Sequence, residues 1–263
     1  MLTFQKYVKA ESLEEAYTLN QAKRNKIVGG MLWSRLGKPN YNTIIDISGL
    51  GLDKIEESET EYKIGALVPL RSLELNTSLN DYTSGAVRDA LKDIVGVQFR
   101  NMATVGGSIW GRFGFSDVLT VLLSLDSYVE LYKGGIIPLK DFALMKYDND
   151  ILTHIIIKKT PVKCVYGAVR IQRTDFPVLT CAICCLDGKY QAAIGARPGR
   201  AILYTDETGL LKDGITADSA KAFAESLKEK VHTGSNSRGS STYRSHLVCV
   251  LTERNLLKLG GLA

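Results

Sequence analysis

Apolar and polar side chains alternate in short runs over the first fifty residues, with one helical stretch between them. "LTFQKYVK" alternates with a period of two and predicts a strand. Ser12, with Glu15 three residues on, has the form of a capping box and opens a helix over "SLEEAYTLNQAKRN". The run "KIV" predicts a second strand ending at Gly29-Gly30, and "TIIDIS" at 43–48 a third. Strand, helix and strand in so short a span make a small α/β unit, and the first glycine pair sits where a strand ends.

A second unit begins after the turn "SGLGLDK", with a strand "EYKIGAL", a short helix "LRSLEL" and a longer one through "AVRDALKDI". Residues 100–117, "RNMATVGGSIWGRFGFSD", read as a glycine-rich loop leading into the apolar helix "DVLTVLLSLD"; strands "YVELY" and "DILTHIIIKK" follow. Near Lys159 the pattern changes to three consecutive strands, "VYGAVRIQ", "VLTCAICCL" and "YQAAIGA". Two helices, "ADSAKAFAESLKEKV" and "STYRSHLVCVLTERNLLKL", complete the chain. The expected division is 1–159, with halves of about 1–55 and 56–159, then an α+β domain over 160–263. Between the last helices, "HTGSNSRGSST" at 232–242 is rich in Gly and Ser and predicts a mobile or partner-ordered loop.

Composition narrows the choices. The 263 residues are 45% hydrophobic and 23% charged, ordinary for a globular protein. The 33 basic and 28 acidic residues are interleaved, and a net charge of +5 is too mild to argue for nucleic acid. "MLTFQKYVKAESLEEAY" lacks the features of a signal peptide, and no apolar run reaches membrane-spanning length, so a soluble, cytoplasmic protein is expected. Cys164, Cys181, Cys184, Cys185 and Cys249 are odd in number in a chain too large to need stapling, which predicts reduced thiols. Alternation puts Cys181 and Cys185 on one strand face and Cys184 on the other, as small core residues rather than a zinc turn. His154, His232 and His246 are far apart and lack a nucleophile elbow or a ligand-spaced partner, so a hydrolase or zinc site has no support.

The glycines carry the remaining chemistry. Gly106 to Gly111 has the spacing of a nucleoside-triphosphate loop, but Arg112 and Phe113 stand where Lys and Ser or Thr are required. Gly49 and Gly51 lack the third glycine of a Rossmann turn. Gly29-Gly30 and Gly106-Gly107 are either tight turns with positive φ or places where backbone N–H groups stand clear to cradle a phosphate. Two pairs, one between Thr104 and Ser108, favour a pyrophosphate. Alone, Asp117 after Ser116 fits a first-turn charge behind an N-cap, and Arg170 a solvated strand residue.

Together, "KIVGGMLW", "TIIDISGLGLDKIE", "YKIGALVPLRSLE", "VQFRNMATVGGSIWGRFGFSDVLTVLLSLD" and "YRSHLVCVLTERNLL" resemble the FAD-binding subunit of the xanthine dehydrogenase family of molybdenum hydroxylases. The segment R-N-x-x-T-V-G-G-S, with Asp117 nine residues after Ser108, is its most specific part. The resemblance covers nearly the whole chain. It implies an α+β protein in which two α/β subdomains clasp FAD, as in vanillyl-alcohol-oxidase-like (PCMH-type) flavoproteins, with a C-terminal α+β domain of the CO dehydrogenase flavoprotein type.

By position, the family's first phosphate loop falls on Lys26, Ile27, Val28, Gly29, Gly30, Met31, Leu32 and Trp33, and its second on Thr104, Gly107 and Ser108. Asp117 matches an acidic contact to the cofactor, through a ribose hydroxyl; Ile94 and Leu152 match apolar contacts, and Arg170 a basic residue near the flavin. Met31 departs from relatives that carry Ser, Thr or Asn there. The resemblance further implies a hetero-oligomer whose partner subunits hold molybdopterin and [2Fe–2S] clusters, with this chain passing electrons through FAD to NAD+ or another acceptor. No side chain or metal of its own is catalytic. A flavin-free scaffold subunit is the alternative, and a stand-alone flavin oxidase ranks below both.

Overall fold

The computed structural model describes residues 2–262. The chain begins with β1 (Thr3–Lys9), α1 (Leu13–Asn20), β2 (Asn25–Val28) and β3 (Asn40–Asp46), forming a parallel sheet of order β1-β3-β2. Val8, Ile45 and Ile27 line up across it, and Ile45 and Ile27 pack in the cluster that holds Ala16 of α1. The Ser12 hydroxyl accepts from the Glu15 N–H at 3.1 Å, as the capping pattern predicts, while the Glu15 carboxylate reaches back to the Glu11 N–H at 2.8 Å. α1 stops at Asn20, short of the expected "AKRN". Asn20 and Gln21 donate to the Asn149 carbonyl instead, and Arg24 turns the chain into β2 with φ 66°.

The second sheet is antiparallel, of order β4-β5-β8-β6-β7: β4 (Ile55–Glu57), β5 (Glu61–Gly65), β6 (Ser127–Leu131), β7 (Gly135–Pro138) and β8 (Leu152–Lys158). Six short helices bridge β5 and β6: α2 (Leu70–Leu75), α3 (Thr77–Tyr82), α4 (Ala86–Leu91), α5 (Val97–Arg100), α6 (Val105–Trp110) and α7 (Asp117–Leu123). A further helix, α8 (Leu139–Phe142), follows β7. Every residue of α7 is buried, as its five apolar side chains require, Asp117 and Thr120 included. The stretch expected as a glycine loop contains a helical turn, α6. Thr104 caps it, accepting from the Gly107 N–H at 3.2 Å, and so offsets the poor helix propensity of two glycines.

The third sheet is an antiparallel meander of order β12-β11-β10-β9: β9 (Val162–Arg170), β10 (Pro177–Leu186), β11 (Lys189–Gly195) and β12 (Ile202–Thr205). One face packs on α9 (Ala217–Lys230) and α10 (Ser241–Leu259), where Cys181, Ile183 and Ile194 meet Phe223, Val248 and Leu251. The other face, with Cys164, Tyr166, Ala182 and Cys184, joins the core built on α4 and α7. This two-sided burial is why "VLTCAICCL" reads as continuously apolar.

Two expectations are corrected here. Cys164 and Cys184 are direct cross-strand partners on β9 and β10 and form a disulfide, so only Cys181, Cys185 and Cys249 are free thiols. Residues 232–242 are not loose. Arg244, 1% exposed, donates to the carbonyls of Val178, Gly234 and Gly239 and to Asn236 Oδ1, adding to the bonds the segment makes within itself between Asn236 and Gly239 and between Thr233 and Ser241. No described helix is long and apolar enough to cross a membrane.

Candidate functional site

The segments that carry the two glycine pairs meet at residues 102–104. A Cβ on Gly30 would stand 1.8 Å from the Met102 carbonyl oxygen, and one on Gly29 3.1 Å from Thr104 Oγ1. Gly106 packs on β5's end, where a Cβ would lie 2.6 Å from the Ala66 carbonyl oxygen. None of the four has positive φ. At Gly30 and Gly106 the need for glycine is therefore close approach of backbone to backbone, while Gly29 and Gly107 lie against the Thr104 side chain; Met31, at φ 58°, occupies the left-handed region beside the first pair.

Their junction opens on a cavity of about 670 Å3. All fifteen residues singled out from sequence lie in its lining. Lys26, Ile27 and Val28 come from β2, and Gly29, Gly30, Met31, Leu32 and Trp33 from the segment after it. Thr104, Gly107 and Ser108 come from the capped turn of α6. Ile94, Asp117, Leu152 and Arg170 come from the α4–α5 link, the start of α7, the start of β8 and the end of β9.

The polar groups are only partly spent on one another. Thr104 Oγ1 accepts from Gly107, and Ser108 Oγ donates to the Thr104 carbonyl at 3.1 Å, while the Thr104 hydroxyl hydrogen has no such partner. Lys26 is half-buried and belongs to no ion pair among the described residues; burial pushes its ammonium down. Asp117 is 5% exposed. Its Oδ1 accepts from both the Tyr166 hydroxyl and Arg170 Nη2, and Arg170 Nη1 donates to the Asp175 carbonyl at 2.6 Å. Burial pushes the Asp117 carboxyl up to about 6 against the pull of Arg170 and Tyr166. The same burial, with Asp117 beside it, raises the Tyr166 phenol well above its ordinary value.

Several lining residues were missed from sequence. Phe113, Phe115 and Phe176 pack on Trp33 with ring centroids 5.5, 5.3 and 5.7 Å away, forming one aromatic cluster in the wall. Asp148, Asn149 and Asp150 line the opposite link into β8. Tyr166 was also missed, although its even spacing from Arg170 on one strand places both on the same face. Arg112, which stands where a triphosphate loop needs Lys, is not in the lining. It is 2% exposed, and its guanidinium lies 3.9 Å from the Phe142 ring centroid and 4.7 Å from that of Tyr147.

The chain belongs to a known family: residues 2–160, which hold the first two sheets and both glycine pairs, match the FAD binding domain in molybdopterin dehydrogenase. The chain is 28% identical over 274 residues to the glyceraldehyde dehydrogenase medium chain of Sulfolobus acidocaldarius, covering 94% of this chain and 95% of that one. It is 26% identical to the 6-hydroxypseudooxynicotine dehydrogenase complex subunit alpha of Paenarthrobacter nicotinovorans, covering 96% and 93%. The fold is that of a chain of carbon monoxide dehydrogenase from Hydrogenophaga pseudoflava, with TM-score 0.84 at 19% identity, over 97% of this chain and 96% of that one. The family and the relatives place the chain among oxidoreductase subunits.

Proposed function

We propose that the cavity holds FAD and that the chain is the electron-transfer subunit of a multi-subunit molybdenum hydroxylase. In this reading partner subunits hold molybdopterin and [2Fe–2S] clusters, and NAD+ or another acceptor takes the electrons. The observation that carries it is the meeting of two glycine segments, from different units of the fold, on one cavity with an unpaired cation.

The residues fit an anionic, hydroxyl-rich group. Lys26 supplies charge to a diphosphate, the Thr104 hydroxyl a donor, and Gly29 and Gly107 backbone without side-chain obstruction. Both hydrogen bonds to Asp117 fall on Oδ1, so Oδ2 is the atom left to accept a ribose hydroxyl. Arg170 holds that carboxylate and presents positive charge to the cavity. Ile94 and Leu152 exclude water from the apolar part. When bound, the isoalloxazine supplies one- and two-electron chemistry, while the protein contributes position and field.

The test is the visible absorption spectrum of the purified chain after incubation with FAD and desalting, with released flavin identified by chromatography. A retained FAD band is expected. A chain that stays colourless, even with its partner subunits, overturns the reading in favour of a scaffold subunit, for which the aromatic cluster already packed in the cavity wall is the supporting observation. Gly107→Val tests the loop: its Cβ would sit 3.0 Å from Thr104 Oγ1 and its branches would cover the exposed face of the turn. Loss of FAD retention with an unchanged melting temperature is expected; full retention sinks the loop assignment.

A further inference from the structure

Residues 16–45 contain Lys23, Arg24, Lys26, Arg35 and Lys38 and no aspartate or glutamate. The chain has 33 basic and 28 acidic residues, so its whole excess of five positive charges falls within this segment and the rest is balanced. The five cations sit on β2, on the turn before it and on the segment that returns to β3. Four are exposed and Lys26 is half-buried, and no ion pair among the described residues includes any of them. Lys26 and Arg35 also line the cavity, which joins the charged surface to the site.

Charge alone would suit any anion, but two apolar side chains stand in water within the same segment: Trp33 is 45% exposed and Leu36 72%. Leu36 offers nothing to a nucleotide. Exposed apolar anchors in the same short segment as unpaired charge are the composition of a protein interface, where the anchors set residence time and the charges set orientation and association rate. A single-sign excess with no internal counter-charge also attracts its partner over a Debye length or more.

We infer that the 23–38 surface docks an acidic protein partner, one that presents carboxylates around an apolar patch and exchanges electrons with the group held in the cavity. The inference rests on the electron-transfer reading above for the partner's role, and on the charge distribution for its chemistry.

The test uses the full chain and, as probe, the purified iron–sulfur subunit of the same complex, with association followed by interferometry. Lys23→Glu, Arg24→Glu and Lys38→Glu are combined, since none of the three lines the cavity. Between about 20 and about 300 mM salt, wild-type association should slow by about tenfold or more. The triple variant should be slowed to a similar extent at low salt and lose most of the salt dependence. Leu36→Ser should instead speed dissociation. Equal association of triple variant and wild type at low salt overturns the inference. So does a triple variant that loses NADH binding while keeping the iron–sulfur subunit, because the surface would then serve a dinucleotide. Flavin content is measured on the same samples. A colourless chain with charge-dependent docking refutes the FAD reading alone, and a flavin-loaded chain with charge-independent docking refutes this one alone.

Discussion

Arg100 with Glu74 and Arg170 with Asp117 are both buried arginine–carboxylate pairs, and they have opposite electrostatics. Glu74, at the end of α2, takes Arg100 Nε at 2.7 Å and Arg71 Nη1 at 2.7 Å. Burial alone would raise its carboxyl, but two guanidinium groups prevail and hold it below the ordinary range. Arg100 spends another donor on the Ile94 carbonyl at 2.9 Å, so this pair closes on itself and clamps α5 to α2. Asp117 has one guanidinium and one phenol on a single oxygen, burial prevails, and its carboxyl rises to about 6. The same two functional groups, guanidinium and carboxylate, make a structural clamp where both carboxylate oxygens are bonded, and a carboxyl with a raised proton affinity where the bonds fall on one oxygen and burial prevails.

The largest expected effect breaks the clamp. Arg100→Met leaves Glu74 with only the partly exposed Arg71 and should cost about 3 kcal/mol of stability, read from urea unfolding. FAD retention per folded chain should not change; a loss under about 1 kcal/mol would mean that Arg71 alone satisfies Glu74.

Next is pH. Folded Asp117 holds its proton more tightly than the unfolded chain, whose carboxyl has the ordinary value of 3.8. Its contribution is therefore full below about pH 4 and is lost as pH rises to about 6, a change of about 3 kcal/mol. Glu74 runs the other way: its contribution is present above the ordinary carboxylate range and is lost on acidification. Wild type should lose stability relative to Asp117→Asn across pH 4 to 6 and run parallel to it above. A constant difference would show that Asp117 stays ionised.

Asp117→Asn should also weaken FAD binding by about tenfold, measured per folded chain, since a charge-assisted hydrogen bond is replaced by a neutral one. Unchanged affinity would remove Asp117 from the site. The smallest effect lies outside both pairs. Met31→Asn places at φ 58° a residue that tolerates the left-handed region, and a gain of about 0.5–1 kcal/mol in stability is expected by the same urea titration.

Much of the fold was legible because its signals are local. "VLTCAICCL", "YQAAIGA" and the last two helices were placed to within a residue or two, since unbroken apolar runs and helical periodicity do not depend on distant partners. The glycine turn of α6 was read as a loop because its helix depends on one cap, Thr104, and its packing on Ala66. The 232–242 segment misled for a related reason. Its composition is that of a loose loop, and the Arg244 that pins it stands on the following helix.

Short elements such as α5, α8 and the fourth strand of the last sheet, β12, were not legible in the sequence. By itself it determined the longer strands and helices, the two glycine pairs, the uneven charge of residues 16–45 and the resemblance that points to FAD. Each is a matter of which residue types stand near one another along the chain. Tertiary structure alone decided the register that joins Cys164 to Cys184. It also packed Gly30 on Met102 and set the difference between Glu74 and Asp117. Those outcomes depend on contacts between distant segments, and a carboxylate's neighbours in space, not in sequence, fix its proton affinity.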